Sequence, residues 1–155
     1  MKLEYINPFI DSVDNLFSTM LNCKVTRGDI GVSKKIEAPY EITALIGLSG
    51  EAKGTVALSF PASTALNMVT KMLMIESEEV DATVIDGVGE IVNIVAGSAK
   101  SKFVKADGKP IDLSLPNVIL GDDYKIEYPT DTVWIEVPFK SDLGPFNLRV
   151  TFMQE

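Results

Sequence analysis

Histidine is absent from this 155-residue chain, and cysteine occurs once, as Cys23. Without histidine, the chain cannot build a Ser-His-Asp or Cys-His catalytic group or an imidazole-ligated zinc site. A single cysteine also excludes an intrachain disulfide, a zinc site made of several thiolates and a paired redox motif. Any catalysis must therefore use carboxylates, amides, hydroxyls or lysines. The cysteine usage favours a reducing, cytoplasmic location.

Positive charge is also scarce, with 14 Lys and Arg against 22 Asp and Glu and a net charge of −8. Such a chain repels phosphate backbones and anionic headgroups, so neither nucleic acid nor a membrane surface is an expected partner. No run of ~18 uninterrupted apolar residues is present, which argues against a membrane span. Acidic residues interrupt the apolar N-terminal segment, so no signal peptide is predicted.

The length and the 46% content of hydrophobic residues predict a single globular domain over residues 1–155. The first helix is expected to begin with Asn7 as its cap and Pro8 in its first position, and to bury Ile10, Val13, Phe17 and Met20. A weak edge strand or a turn-rich connection is expected over residues 27–39. A second helix is expected after Pro61, and a third and longest helix over roughly Glu78 to Lys105.

Alternation of apolar and polar residues predicts strands that come in runs, with the helices grouped between them. The predicted strands cover residues 42–49, 56–60, 113–120, 124–128, 132–139 and 146–152. The first two should form an antiparallel hairpin, and so should the last two. This order predicts an α+β fold with a mainly antiparallel sheet and about three helices packed on it.

The longest predicted helix has two distinct faces. At ~100° per residue, Val84, Val88, Ile91 and Val95 form an apolar stripe that should pack on the sheet. The roughly opposite face carries Asp86, Glu90, Asn93 and Gly97. Periodicity alone therefore predicts a carboxylate and a carboxamide side by side on an exposed, polar helix face, and such a face is ordinary in globular proteins.

Three glycines within eleven residues of this helix, Gly87, Gly89 and Gly97, are unusual. Each costs about 1 kcal/mol relative to alanine in a helix interior. Two explanations remain open at this point. An outside partner approaches the helix closely, or a neighbouring helix of the same chain does so.

The spacing Asp86-x3-Glu90-x2-Asn93, with Pro116 after 22 further residues, resembles the signature of the CheC/CheX/FliY family of chemotaxis phosphatases. Four longer phrases also resemble CheX-type members, in the same order along the chain. They are NPFIDSVDNLFSTML, GTVALSFP, DGVGEIVNIVAGSAK and SLPNVILG. The resemblance therefore covers most of the chain and implies a CheC-like fold.

The resemblance also implies a function, which is dephosphorylation of the phosphorylated response regulator CheY at its aspartyl phosphate. Asn93 would position the attacking water, and Glu90 would dock the regulator through one of its active-site lysines. Asp86 and Gly97 would belong to the same partner-binding face, and Pro116 would shape a loop or the start of a strand. The chain would need no cofactor of its own, since the Mg²⁺ is expected on the regulator.

CheC-type and FliY-type members can carry two copies of the motif, and this chain differs from them. The corresponding positions after Asp11 in the first helix hold Asn15 and Ser18, so one site per chain is expected. The resemblance further implies a homodimer. The alternative function is a non-catalytic module that binds a receiver domain or a flagellar-switch component through the same helix face.

Three other residue types have plainer expected roles. The methionines, among them Met68, Met72 and Met74, are expected to fill the core. Cys23 is expected to be a small buried residue. Trp134 falls on the strand face opposite Ile135, so it belongs either to a second packing layer or to a dimer contact.

Overall fold

A computed structural model describes residues 3–33, 39–50, 53–107, 111–121 and 133–152. Within these ranges, three α-helices pack on one face of an antiparallel sheet of eight strands, which confirms the predicted α+β class. The elements are α1 (Asn7–Leu16), β1 (Val25–Arg27), β2 (Gly31–Ser33), β3 (Ile42–Gly50), β4 (Gly54–Phe60), α2 (Ala62–Leu73), α3 (Ala82–Asp107), β5 (Ile111–Leu113), β6 (Asn117–Leu120), β7 (Trp134–Ser141) and β8 (Phe146–Phe152).

The sheet has the strand order β1-β7-β8-β4-β3-β5, with β2 also paired to β7 and β6 also paired to β3. Both predicted hairpins are present, since β3 pairs antiparallel with β4 and β7 pairs antiparallel with β8. A weak edge strand or turn-rich connection is expected over residues 27–39. In that range β2 forms a three-residue edge strand along β7, and β1 pairs with β7 just before it and ends at Arg27. Residues 34–38 lie outside the described ranges. The predicted strand at 124–128 lies outside the described residues.

The core lies between the helices and one face of the sheet. Strand residues that alternate along β3, β4, β7 and β8 are buried there, among them Ile46, Val56, Val137 and Leu148. The predicted stripe of α3 completes the core, since Val84, Val88, Ile91 and Val95 are all buried. Removing each such side chain from water stabilises the fold by about 1.5–3 kcal/mol. The helix that carries the polar face is therefore fixed to the sheet from behind.

The first helix begins and ends differently from the prediction. Asn7 is not its cap, because a 3-10 turn over Leu3–Ile6 runs straight into the helix and Ile6 occupies the capping position with helical backbone angles. Pro8 lies in the first turn as predicted. At the other end the chain continues as a π-helical turn, Phe17–Leu21. This wider turn rotates the inward face by about one residue, so Leu21 is buried and Met20 is exposed.

The third helix begins at Ala82, four residues later than predicted. The reason is capping, since the Asp81 carboxylate accepts a hydrogen bond from the Val84 backbone N–H at 3.0 Å. The predicted strand over 113–120 is also divided. Ser114, Leu115 and Pro116 separate β5 from β6, and a proline has no N–H to donate to a sheet.

The α3 segment Ala82–Lys102 is long and apolar enough, by length and mean hydropathy alone, to cross a membrane. Half of its most apolar stretch is buried inside the protein. Its apolar residues contact the sheet and the other helices, and a core helix meets the same two criteria of length and hydropathy.

Trp134 lies in a second packing layer, on the sheet face opposite the helices. Only 1% of it is exposed, so the single chain already buries it and a dimer contact is not its role. The Arg149 guanidinium stacks over the indole, 4.9 Å from the ring centroid. Arg149 also pairs with the Glu136 carboxylate at 2.8 Å.

The expectations for methionine and cysteine are only partly right. Met68 is buried and Met72 half-buried, but Met74 follows α2 in a left-handed conformation and is 91% exposed. Cys23 is half-buried rather than buried. Partial desolvation raises the pKa of its thiol, an effect that nearby Lys71 opposes and Asp142 reinforces.

Candidate active site on the third helix

The four residues singled out by the sequence lie together on one face of α3. Asp86, Glu90, Asn93 and Gly97 are all exposed, while the residues between them that point the other way are buried. At a rise of about 1.5 Å per residue, Glu90 and Asn93 are separated by roughly 4.5 Å along the helix axis. Residues three apart on a helix are surface neighbours. The structure thus places a carboxylate and a carboxamide side by side, and their chemical roles remain predictions.

The polar face is supported by a closely packed helix. Ile91 and Val92, which follow Glu90 directly, are buried, and so are Val88, Val95 and Ala96 around them. The backbone that carries Glu90 and Asn93 cannot shift without disturbing these contacts. Side chains that project from a fixed backbone need little reorganisation when they meet a reacting group.

Glu90 and Asn93 are free to meet a partner. Among the residues that the structure describes, neither side chain makes a hydrogen bond or an ion pair. Two shallow depressions on the described surface lie away from these residues. One is lined by residues around Cys23 and Asp142, and the other by the acidic turn that precedes α3. The candidate site is thus an exposed helix face, which suits a partner large enough to cover it.

The three glycines have different surroundings, so no single explanation covers them. A Cβ on Gly87 would lie 2.5 Å from Cγ1 of Val69, which shows that α2 packs too closely for a side chain there. A Cβ on Gly89 would make ordinary contacts, 3.6 Å from Val118 Cγ2 and 3.8 Å from Pro116 Cγ. A Cβ on Gly97 would meet nothing within 4 Å. The neighbouring helix accounts for Gly87, but no internal contact accounts for Gly97.

Pro116 joins the site from outside the helix. It lies directly before β6, where the sequence placed a loop or strand start, and its ring faces Gly89, the residue before Glu90. Sequence reasoning missed Leu115, which precedes this proline and is 85% exposed. The only sequence feature that could have indicated an exposed leucine here was its place between a serine and a proline in a short connection.

Metal ligands are not gathered anywhere in the described ranges, where no group of three or more Cys, Asp or Glu residues could hold an ion. Asp86 and Glu90 are the carboxylates of the polar face, and both point to solvent. That the chain needs no metal of its own stays a prediction. So does the presence of Mg²⁺ on a partner.

Solved structures show which class of protein has this fold. A CheC-like superfamily protein from Shewanella sp. PV-4 superposes with a TM-score of 0.86 at 32% identity, covering 99% of this chain and 100% of that one. The CheX-CheY-BeF3-Mg+2 complex from Borrelia burgdorferi contains a chain that matches with a TM-score of 0.80 at 23% identity, over 99% of this chain and 100% of that one. The fold is therefore CheC-like.

Sequence comparison narrows the class to a family. Residues 42–140 match the family model described as "Chemotaxis phosphatase CheX", a stretch that includes all of α3. The CheY-P phosphatase CheX of Thermotoga maritima is 30% identical over 128 residues, which is 82% of each protein. This chain belongs to the CheX family of chemotaxis phosphatases, and it is an enzyme of the phosphatase class.

Proposed function

We propose that this protein accelerates hydrolysis of the aspartyl phosphate on a phosphorylated response regulator of the CheY type. The observation that carries the proposal is the exposed pair of Glu90 and Asn93 on a core-supported helix, with no partner for either side chain among the described residues. The relative from Thermotoga maritima, named CheY-P phosphatase, supports the substrate. The CheX-CheY complex from Borrelia burgdorferi supports the kind of partner.

Asn93 supplies the positioned amide in this proposal. Water attacks the phosphorus, the bond between phosphorus and the aspartyl oxygen breaks, and inorganic phosphate leaves with the carboxylate regenerated. A carboxamide can accept a hydrogen bond from the water and donate another, as a glutamine does in GTPases. Holding one water in line converts a diffusional encounter into an oriented one. The Mg²⁺ expected on the regulator neutralises charge on the phosphoryl oxygens.

Glu90 docks the regulator. A carboxylate paired with a lysine of the regulator's active site forms a charge-assisted hydrogen bond, which is stronger than a neutral one. This pair fixes the rotation of the regulator about α3, and Asn93, one turn further along, then faces the phosphoryl group. Asp86 extends the acidic face towards the start of the helix, and Gly97 leaves room for close approach at the other end.

The decay of a phosphorylated receiver domain, measured with and without this protein, tests the proposal. Asn93→Ala should lower the stimulated rate by about 10²–10³-fold, the usual effect of losing one positioned hydrogen-bonding group. Asn15→Ala is the matched control, because Asn15 is also an exposed asparagine on a helix and belongs to the face that lacks the motif. Near-native activity of Asn93→Ala would contradict the assigned role.

The same assay separates the proposal from the alternative of a non-catalytic receiver or flagellar-switch module. If the protein binds the receiver but leaves the decay rate unchanged, α3 is a docking surface and no more. A carboxamide at position 93 favours catalysis, because docking alone does not require that group.

The proposal also includes the assembly and location of the protein, which we expect to be a homodimer in the cytoplasm. The described sheet ends in short strands on both sides, β1 and β2 at one edge and β5 and β6 at the other. Unpaired strand edges are usually covered or paired. Pairing through an edge leaves the Glu90 face of each subunit directed outward, so a dimer would bind two regulators, one on each chain.

A further inference from the structure

We propose that Leu115 is a binding residue, an apolar contact that holds the regulator against α3 beside Glu90 and Asn93. This inference rests on the proposed function and adds to it a second point of attachment. The inference predicts an apolar patch on the regulator. The patch should lie as far from the acyl phosphate as Leu115 lies from the polar face of α3.

Leu115 is held in place by its neighbours although its own side chain lies in solvent. The Ser114 N–H donates to the Gly47 carbonyl at 3.0 Å, and the Gly47 N–H donates to the Ser114 hydroxyl oxygen at 2.8 Å. That hydroxyl donates in turn to the carbonyl of Leu115 at 3.1 Å. On the other side, Pro116 has a restricted φ and precedes β6, which pairs with β3. The backbone of Leu115 is thus fixed on both sides.

The same segment lies beside the candidate site. The ring of Pro116 faces Gly89, which is adjacent to Glu90 in sequence and one turn before Asn93. Residues four apart lie on the same side of a helix, so the segment 114–116 borders the polar face on the Asn93 side. A regulator that covers Glu90 and Asn93 extends over this border.

Exposure of a fixed leucine beside a polar site has a physical consequence for binding. A single exposed leucine is common on protein surfaces and by itself indicates nothing. Here the backbone is already ordered, so covering the side chain costs its own rotamer freedom but no ordering of the loop. An apolar side chain that a partner buries at an interface adds affinity, and charged and polar contacts beside it add orientation. Asn93 and Glu90 supply orientation, Glu90 also contributes affinity through its ion pair, and Leu115 adds affinity that does not depend on charge.

The test compares Leu115→Ala with wild type in two measurements. The first is the dissociation constant for a receiver domain loaded with beryllofluoride, by titration calorimetry. The second is the rate of receiver dephosphorylation as a function of receiver concentration. Loss of the buried leucine atoms should raise the dissociation constant and KM by about tenfold, while kcat at saturation stays within about twofold of wild type. Leu115→Met should restore most of the affinity.

Val32→Ala is the control. Val32 is 63% exposed on β2, at the opposite edge of the sheet, roughly 24 Å away at about 4.8 Å per strand. It should change neither constant. Since Leu115 lies in solvent, the alanine variant should keep the wild-type urea midpoint.

The outcomes are distinguishable. Unchanged KM and affinity in Leu115→Ala, with an active wild type, would overturn this inference and leave the proposed function intact. A fall in kcat with KM unchanged would also overturn it. A wild-type protein that neither binds the loaded receiver nor speeds its dephosphorylation would overturn the proposed function and this inference together.

Discussion

Substitutions at Gly97 test two expectations. A small side chain there should stabilise the protein, and a large one should weaken binding of the partner. The residue is exposed, lies in the interior of α3, and has open space where a Cβ would be built. Gly97→Ala therefore gains helix propensity without a clash, and the free energy of unfolding should rise by about 1 kcal/mol. For a protein of this size that corresponds to an increase in Tm of about 2–4 °C. Urea and thermal unfolding followed by circular dichroism measure both quantities.

Gly87→Ala is the matched comparison on the same helix. Its propensity gain is the same, but the new Cβ would lie 2.5 Å from Val69 Cγ1 and 2.9 Å from Cγ2. Valine is stiff about χ1 and cannot swing both methyl groups away. Overpacking of this kind costs about 1–3 kcal/mol, so Gly87→Ala should destabilise the protein. If the two variants changed stability in the same direction, the different surroundings assigned to these glycines would be wrong.

A larger side chain at position 97 tests the partner itself. Gly97→Leu projects into solvent in the isolated protein, so folding should be preserved. If the regulator approaches α3 closely at this end, the leucine should weaken its binding by at least about tenfold, since misfit at a packed interface is worth 1–3 kcal/mol. Full activity of Gly97→Leu would show that the regulator leaves this end of the helix uncovered, and the glycine would then have no explanation.

Four further predictions follow from the site and the fold. Glu90→Ala should weaken binding of a beryllofluoride-loaded receiver by about 1.5–3 kcal/mol, and unchanged affinity in calorimetry would remove Glu90 from the interface. The Mg²⁺ dependence of dephosphorylation should follow the receiver's own affinity for Mg²⁺, and a stoichiometric metal in the purified protein whose removal abolishes activity would argue otherwise. Glu136→Gln should lower the free energy of unfolding by about 1–3 kcal/mol, because it leaves the buried guanidinium of Arg149 opposite a neutral group. Urea unfolding measures this, and an unchanged free energy would show that the charge of Glu136 is not needed to hold the guanidinium. Light scattering at micromolar concentration should give twice the chain mass of 16.9 kDa, whereas a monomer would exclude the dimer.

Much of the site was predictable because a helix with one buried side has a fixed period. Once Val84, Val88 and Val95 are assigned to the core, helix geometry alone places Glu90 and Asn93 on the far side. The strand pairs were predictable for a similar reason, since alternation along β7 and β8 identifies one buried face. The resemblance to the phosphatase family then predicted that the polar face is the site, which periodicity could not do.

The caps of α1 and α3 were mispredicted because of local hydrogen bonding, and the other errors occurred where contacts distant in sequence decide the outcome. The π-helical turn exchanged Met20 for Leu21 because of packing that no local pattern reports. Gly87 and Gly97 look alike in the sequence, and only the approach of Val69 distinguishes them. The position of Leu115 beside the candidate site was missed because it follows from the contact between Pro116 and Gly89. That contact joins a short connection to a helix residue more than twenty positions earlier in the chain.

The division of α3 into a buried stripe and a solvent-facing stripe also bears on how such a protein can change over evolutionary time. Asp86, Glu90 and Asn93 contribute nothing to the packed interior, so selection on folding does not restrict them. In the proposed mechanism, a single substitution at Asn93 would therefore leave a folded molecule that still recognises the same regulator through Glu90. Within one lineage, a gene duplicate could in this way become a passive competitor for the regulator in one step, and the reverse change could restore catalysis without any repair of the core.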